Sequence, residues 1–316
     1  MKKVIVSAPG KLHLSGEHAV VYGNPAIAIS TSLRLTVTLE LQNGKTTLRA
    51  MRNEDAYIDT IVKAFESQYG IFPDDGLYLR IDSAIPPGSG MGSSASLAVA
   101  LIGALSVWYG LPWNTKIIND TAYQAEKVQH GNSSGSDPAI ATNGGIIWYR
   151  KELEFLKTLW LLTLKIPSAF MPFVLINTGR TESTGELVSH VATVRNRDEA
   201  AFALLLNDVE AVTKNMAQTI HDEDEPGFRQ AIQKNERLLE NMEIVSVDTR
   251  ALIADIERAG GVAKISGAGG RARGSGVVIA IHDTPGVLTE IAKHHGYPSF
   301  RVQLGGEGIR MEQVLV

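Results

Sequence analysis

Three glycines alternate in a short loop, the segment Pro86–Ser96 (PPGSGMGSSAS), directly before an apolar run. Glycine lets the backbone approach a ligand and turn its N–H groups inward, and Ser93 or Ser94 can cap the helix that follows. A helix N-terminus carries about half a positive charge, so this segment is suited to hold a phosphate. It is neither a Walker A loop nor a dinucleotide fingerprint, and a flexible turn with a serine cap is the alternative.

A second segment, Ser7–Gly23, packs four ionisable side chains between glycines. These are Lys11, His13, Glu17 and His18, and they lie within eight residues. Apolar residues flank them at 4–6 and 20–21, which places them at the end of a core strand. A solvated turn around Lys11 is the alternative.

Two carboxylates, Glu126 and Asp137, are separated by a Gly/Ser-rich stretch. Glu126 is predicted on the last turn of a helix and Asp137 in the loop, so the two could meet over a small cavity. Such a pair suits a division of labour, one carboxylate on Mg2+ and one near a proton. An Asx turn at Asp137-Pro138 is the alternative.

A fourth segment, Gly260–Gly276, places a glycine-rich loop between two predicted strands and again indicates close backbone approach to a ligand. A long hairpin loop is the alternative. The chain has no His-Glu-x-x-His zinc motif and no G-x-S-x-G nucleophile elbow, so zinc or serine hydrolase chemistry has no support.

Composition narrows the class of protein further. The 316 residues carry a formal net charge of -4, which removes the electrostatic case for nucleic acid or an anionic membrane as partner. There is no cysteine, so disulfides and thiolate metal sites are excluded. No signal-peptide core or membrane-spanning apolar run occurs, and we expect a cytoplasmic protein.

The elements that must position these residues follow from hydrophobic periodicity. Strands are predicted at 26–41, 77–82, 145–150, 173–177, 262–266, 277–282 and 300–304, with a hairpin turn at Asn43-Gly44. Helices are predicted at about 54–68, 95–108 and 115–129, through most of 184–259, and between the last two strands. This order predicts an α+β protein of two lobes, 1–165 and 166–316.

Taken in chain order, the four segments resemble the GHMP kinase superfamily. Its three motifs match Pro9–Lys11, Pro86–Ser96 and Lys264–Gly270. Within the superfamily, residues 16–28 (GEHAVVYGNPAIA), and Glu126 followed by His130-Gly131-Asn132, are similar to mevalonate kinases.

The resemblance implies an N-terminal lobe like ribosomal protein S5 domain 2 and a ferredoxin-like C-terminal lobe, with the site between them. It implies ATP-dependent phosphorylation of mevalonate on its 5-hydroxyl, and often a homodimer. By similarity, Asp137 lies next to the substrate hydroxyl, Lys11 lowers the pKa of that hydroxyl, and Ser94 and Glu126 hold Mg2+. The implied triphosphate loop consists of Pro87, Gly88, Ser89, Gly90, Met91, Gly92, Ser93 and Ser94. The implied substrate pocket includes Glu17, His18, Gly267 and Ala268.

Two departures from the family pattern bear on the substrate. Ser133 replaces a usual proline, which removes a φ constraint but keeps Asp137 in register. Arg271-Ala272-Arg273 interrupts the third glycine run. These arginines could contact the nucleotide, or bind a phosphate already on the substrate, as in a phosphomevalonate kinase, or form a solvated loop tip.

Three questions stay open from the sequence. Asp137 could take the substrate proton fully or only orient the hydroxyl. Arg180 is a candidate for holding the substrate carboxylate. A catalytically silent nucleotide or metabolite sensor on the same fold is the alternative to a kinase, although such a sensor would not need Lys11, Ser94, Glu126 and Asp137 together.

Overall fold

The computed structural model describes residues 2–41, 47–74, 76–130, 135–153, 156–170 and 172–315. The predicted turn at Asn43-Gly44, and residues 131–134 with Ser133, lie outside these ranges. The strands are β1 (Lys3–Ser15), β2 (Pro25–Leu41), β3 (Leu77–Ser83), β4 (Ile146–Leu153), β5 (Leu156–Leu162), β6 (Phe173–Asn177), β7 (Val262–Ser266), β8 (Val277–Ile281), β9 (Ser299–Val302) and β10 (Arg310–Leu315). The α-helices are α1 (Leu48–Glu54), α2 (Ala56–Tyr69), α3 (Ser93–Trp108), α4 (Thr115–His130), α5 (Ser136–Asn143), α6 (Thr184–Arg197), α7 (Glu199–His221), α8 (Glu225–Asn241), α9 (Val247–Arg258) and α10 (Pro285–His294).

The first sheet is built around β2, which pairs antiparallel with β1, β3 and β4. The strand order is β10-β1-β2-β4-β5, with β3 attached to β2. The predicted strand at 26–41 is confirmed as β2, and its apolar residues Ile27, Ile29, Val37 and Leu39 are buried. The long central strand β2 therefore contributes to the core of this lobe. Its pairing with β1 also fixes the position of Lys11, which lies opposite Ser30.

Helix α3 packs against β1 and β2 beneath this sheet. The Ala- and Leu-rich run predicts a buried helix, and the structure confirms it: Leu101, Ile102 and Leu105 are fully buried. Gly103 lets the helix pack closely, because a Cβ there would lie 2.5 Å from Ile309 Cδ1 and would displace that side chain. The predicted serine cap is wrong. The N-cap is Gly92 at φ 71, and no side chain caps the helix.

The second sheet has the order β7-β8-β6-β9 with antiparallel neighbours. Along the chain its elements run strand, helices, two strands, helix, strand, which is the ferredoxin-like arrangement that the resemblance implied. Val174, Ile176, Ala263, Ile265 and Val278 form its core together with the helices.

Two connections depart from the sequence-based expectations. Asp137 does not lie in a loop; it occupies the first turn of α5, a helix that the sequence did not predict. The C-terminal strand β10 returns to the first sheet and pairs with β1. The lobes 1–165 and 166–316 remain a prediction, and a single cut of the chain would separate β10 from its sheet. Among the described residues, no helix is both long and apolar enough to cross a membrane.

Candidate active site

The phosphate-loop candidate is fixed to β1 by backbone hydrogen bonds. The Lys11 N–H donates to the Met91 carbonyl at 2.9 Å, and the Ser96 hydroxyl donates to the Pro9 carbonyl at 2.7 Å. Gly92 has φ 71, and a Cβ there would lie 2.9 Å from Lys11 Cγ. The loop and the lysine therefore pack so closely that only glycine fits between them.

Lys11 and Asp137 are far apart in the sequence, but they form an ion pair with 3.3 Å between Lys11 Nζ and Asp137 Oδ1. The Ser136 hydroxyl donates to the same oxygen at 3.2 Å. Burial alone would raise the pKa of Asp137, but the Lys11 charge, a nearby His13 and these hydrogen bonds hold it below its usual range. Asp137 is thus ionised near neutral pH. Burial, together with the Lys11 charge, lowers the pKa of His13 to about 3, which keeps its imidazole neutral.

The loop itself offers backbone rather than side chains. Gly88 and Gly90 have positive φ, and a Cβ on either would meet nothing within 4 Å, so the space beside them is open. The Ser89 hydroxyl is instead turned to the Pro86 carbonyl at 2.6 Å, and the Met91 side chain is buried. Backbone N–H groups and the N-terminus of α3 are therefore what this loop presents to an anion.

Glu126 and Ser94, the predicted Mg2+ ligands, both contact Tyr57, a residue that the sequence analysis did not single out. The Tyr57 hydroxyl donates to the Glu126 carboxylate and lies 3.2 Å from the Ser94 carbonyl oxygen. Burial and the Glu126 charge raise the pKa of Tyr57, so it stays a hydrogen-bond donor. Tyr57 is one of several residues in an amphipathic helix, and no local pattern distinguishes it.

The donor set fits Mg2+ in its chemistry, since a carboxylate and a serine hydroxyl are hard oxygen ligands. In the described parts of the chain, no cluster of three or more His, Asp or Glu side chains could hold a metal ion. Mg2+ commonly takes only one or two protein ligands and completes its shell with water and phosphate oxygens.

Glu17 and His18 are both buried, but they have different partners. Glu17 pairs with Lys264 on β7 at 2.5 Å, with side chains 1% and 0% exposed. Lys264 also donates to the carbonyls of His13 at 3.2 Å and Ile265 at 2.6 Å. This ion pair joins the two lobes. No sequence pattern predicts that Lys264 and Glu17 meet, because 247 residues separate them.

His18 lies beside the third glycine-rich segment. Its Nε2 is 2.9 Å from the carbonyl oxygen of Ala268, so this nitrogen carries the proton. His18 has φ 56, unusual for a residue other than glycine, and burial, with the Arg180 charge, lowers its pKa. A residue held in this strained conformation is typical of functional sites. Gly267, also at positive φ, precedes Ala268.

The loop between β7 and β8 closes the remaining side. A Cβ on Gly267 would lie 3.9 Å from the Gly90 carbonyl oxygen, and one on Gly276 would lie 3.6 Å from the Ser89 carbonyl oxygen. Both ends of the third segment therefore rest on the phosphate-loop candidate. The half-buried Arg180 borders this loop, with its Cγ 3.4 Å from the Cβ position of Gly270.

Residues 56–145 match the family model of the GHMP kinases N-terminal domain. The chain is 32% identical to the mevalonate kinase of Archaeoglobus fulgidus, with 98% of this chain and 100% of that protein covered. It is 31% identical to the mevalonate kinase of Thermococcus gammatolerans, with 99% of each covered. The chain belongs to the mevalonate kinase family.

Solved structures of this family share the fold. L. major mevalonate kinase in complex with R-mevalonate matches with a TM-score of 0.81 at 24% identity over 96% of both chains. Methanococcus jannaschii mevalonate kinase also matches with a TM-score of 0.81 at 24% identity, over 96% of this chain and 98% of that one. The predicted α+β GHMP kinase fold is confirmed, and membership of the family implies the use of ATP.

Proposed function

We propose that this protein is a mevalonate kinase that transfers the γ-phosphoryl group of ATP to the 5-hydroxyl of mevalonate, giving 5-phosphomevalonate and ADP. The observation that carries the proposal is the Lys11–Asp137 ion pair, 3.3 Å long, packed against an open glycine loop at a helix N-terminus. Phosphoryl transfer asks a protein mainly for positioning and charge stabilisation, which these groups supply.

Asp137 and Lys11 divide the work at the acceptor hydroxyl. Because the pKa of Asp137 is low, its carboxylate first orients the hydroxyl and takes the proton late, once bonding to phosphorus has made that oxygen acidic. The Lys11 ammonium stabilises the charge that develops on the same oxygen. The Lys11 charge keeps the Asp137 carboxylate ionised before the substrate binds.

The triphosphate would lie along Gly88–Ser94, where backbone N–H groups and the end of α3 face open space. Ser94 and Glu126 would hold Mg2+, with Tyr57 fixing the carboxylate. Bound Mg2+ would supply positive charge to the phosphate oxygens.

The other end of the substrate needs a cation for its carboxylate, and Arg180 fits. Its guanidinium is half-buried, and burial lowers its pKa. Within the described residues it makes no side-chain hydrogen bond or ion pair. His18, Gly267 and Ala268 would line the pocket between Arg180 and the reacting hydroxyl. Glu17 would act indirectly, because its side chain is only 1% exposed and its Oε1 is bound by Lys264, although its Oε2 has no hydrogen-bond partner among the described residues.

The test is a substrate panel. Purified protein is incubated with ATP, Mg2+ and either mevalonate, 5-phosphomevalonate, galactose or homoserine, with ADP release coupled to an optical readout. We expect the highest kcat/KM for mevalonate. Faster turnover of 5-phosphomevalonate would instead support the second candidate, a phosphomevalonate kinase, which Arg271 and Arg273 favour by their charge.

Asp137→Ala separates a kinase from a silent sensor. A kinase should lose about 10²- to 10⁴-fold in kcat, the usual worth of a general base, while its ATP affinity is kept. Unchanged turnover would remove Asp137 from the mechanism. Asp120→Ala, an exposed carboxylate on α4, is the matched control.

We also propose a homodimer formed through β5. This edge strand exposes Leu156, Leu159, Trp160 and Leu161, which point to both faces of the sheet, although natural edge strands usually carry charges. Pairing with β5 of a second copy would satisfy the backbone groups of this edge and place these side chains beside the same residues of the partner strand. Sedimentation of the protein and of Trp160→Lys tests this, and a wild-type monomer at micromolar concentration would refute it. A cytoplasmic location and the lack of nucleic-acid or membrane partners stay predictions of the sequence.

A further inference from the structure

The loop that departs from the family pattern, residues 270–276, binds a carboxylate of its own chain. The backbone N–H groups of Arg271 and Ala272 both donate to Glu182 Oε2, at 2.7 and 3.3 Å. Two consecutive N–H groups converging on one oxygen are the geometry with which backbone binds anions. Glu182 therefore occupies a preformed anion position.

Internal bonds keep this loop in shape. The Ser275 hydroxyl donates to the Gly270 carbonyl at 2.9 Å, and the Ser275 N–H donates to the Thr178 hydroxyl at 2.8 Å. The Gly276 N–H donates to the Gly179 carbonyl at 2.8 Å. Ser275 is fully buried, so its hydrogen bonds maintain the loop conformation, which does not depend on Glu182 alone.

The loop that binds Glu182 carries two arginines in its own sequence, and a third arginine lies beside it. Arg271 and Arg273 are exposed, and in the part of the chain that the structure describes their guanidinium groups make no ion pair or side-chain hydrogen bond. Arg180 lies beside Gly270, and its pKa is sensitive to the Glu182 charge. With Arg180 left to the substrate carboxylate, the loop itself still offers two unpaired guanidinium groups, whose donors match phosphate geometry.

The position lies close to the candidate reaction centre. A Cβ on Gly276, at the C-terminal end of this loop, would lie 3.6 Å from the Ser89 carbonyl oxygen, and one on Gly267, three residues before the loop, would lie 3.9 Å from the Gly90 carbonyl oxygen. An anion held at Arg271 and Ala272 would thus lie on the loop that adjoins the phosphate-loop candidate.

We propose that Glu182 is a specificity-determining residue: its carboxylate fills the anion position of the 270–276 loop and so excludes acceptors that already carry a phosphate. This inference rests on the proposed function. Without Glu182, the two N–H groups and the arginines would accept a phosphate. With it, an incoming phosphate meets a negative charge and finds its donors already taken, which is how a site rejects a related ligand. The same repulsion would hasten release of the phosphorylated product.

The experiment compares wild type with Glu182→Gln, which keeps the size of the side chain and removes its charge. Kinetics with mevalonate give the inhibition constant of added 5-phosphomevalonate, and direct titration without ATP gives its Kd. We expect both constants to fall by about tenfold in Glu182→Gln, since removing a like charge at a binding site typically changes affinity by at least that factor. The KM for mevalonate should change less than threefold.

Glu186→Gln is the matched control, because Glu186 lies on the same segment but caps α6 through Ser183. A glutamine can keep that capping box, so this variant loses the same charge and should leave both constants unchanged. Adding Arg271→Ala and Arg273→Ala to Glu182→Gln should restore weak binding of 5-phosphomevalonate.

Constants for 5-phosphomevalonate that differ by less than twofold between wild type and Glu182→Gln would overturn the inference. So would an equal change in Glu186→Gln, which would indicate a long-range charge effect. If Glu182→Gln melts well below wild type, Glu182→Asp, which retains the charge, must keep the wild-type constants. A wild type that does not phosphorylate mevalonate refutes the proposed function instead, and the titration without ATP still reports on Glu182.

Discussion

The buried ion pair between Glu17 and Lys264 allows a quantitative test of how the two lobes are held together. Glu17→Gln leaves the Lys264 ammonium fully buried with only two carbonyl partners. Removing one partner of a buried pair typically costs about 3–5 kcal/mol, because the remaining charge stays desolvated. We expect a loss of that size in the free energy of unfolding, and a similar loss for Lys264→Met.

The double variant Glu17→Gln, Lys264→Met leaves no uncompensated charge. Its cost should therefore fall short of the sum of the single costs by about 2–4 kcal/mol. Urea unfolding, followed by both far-UV circular dichroism and tryptophan fluorescence, measures these values, and coincident curves justify a two-state treatment.

The matched control is the exposed pair Lys116–Asp120 on α4, 2.7 Å long, with side chains 84% and 51% exposed. Its coupling in the cycle with Lys116→Met and Asp120→Asn should be only about 0.3–0.5 kcal/mol. Additive costs for Glu17 and Lys264, within about 0.5 kcal/mol, would refute the view that the pair is electrostatically coupled and buried.

Three further predictions concern single residues. Burial raises the pKa of Glu236 from 4.5 to about 7, so ionising this side chain lowers the stability of the folded state. The free energy of unfolding should fall by about 3 kcal/mol as pH rises from 4.5 to above 7. Urea unfolding at pH 5 and pH 8 measures this loss in the wild type, and Glu236→Gln should not show it. If Lys11 acts in phosphoryl transfer as proposed, Gly92→Ala should lower kcat at least tenfold by displacing it. Gly110→Ala, at a similar φ but in open space, should cost about 1 kcal/mol of stability and leave kcat unchanged. Tyr57→Phe should raise the Mg2+ concentration that gives half-maximal activity by about 10- to 100-fold, because the Glu126 carboxylate loses the donor that orients it. A Mg2+ titration curve identical to that of the wild type would contradict this.

The local sequence was sufficient to predict secondary structure where the hydrophobic periodicity of a segment alone determines its conformation. The alternation of β2 and the apolar run of α3 predicted these elements because side-chain periodicity decides which face is buried. The turn at Gly88–Gly92 was predictable for a related reason, since all three glycines have positive φ, which other residues rarely adopt; that this loop binds phosphate stays a prediction. Here the properties of the single residues already determine the conformation.

Contacts between distant segments could not be predicted in this way. The α5 helix was missed because Ser136, Asp137 and Pro138 favour a turn, yet proline in the first turn of a helix needs no N–H partner. The Glu17–Lys264 and Glu126–Tyr57 contacts join segments that are far apart in the chain. Their residue types are common on surfaces, so only the packed fold distinguishes them from solvated charges.

The position of β1 predicts that the Lys11–Asp137 ion pair and the contacts between the two lobes are coupled. Along one strand, Lys11 faces Asp137, the His13 N–H donates to the Ser266 hydroxyl on β7 at 2.8 Å, and the Ser15 hydroxyl contacts Thr213 of α7 at 2.7 Å. A shift of the second lobe would therefore move the strand that carries Lys11. Polar contacts across this interface are directional and buried, so they tolerate such a shift less than apolar packing would. The stability of the interface and the geometry of phosphoryl transfer thus depend on the same strand, and a variant that loosens Lys264 should lower kcat even though Lys264 does not contact Asp137.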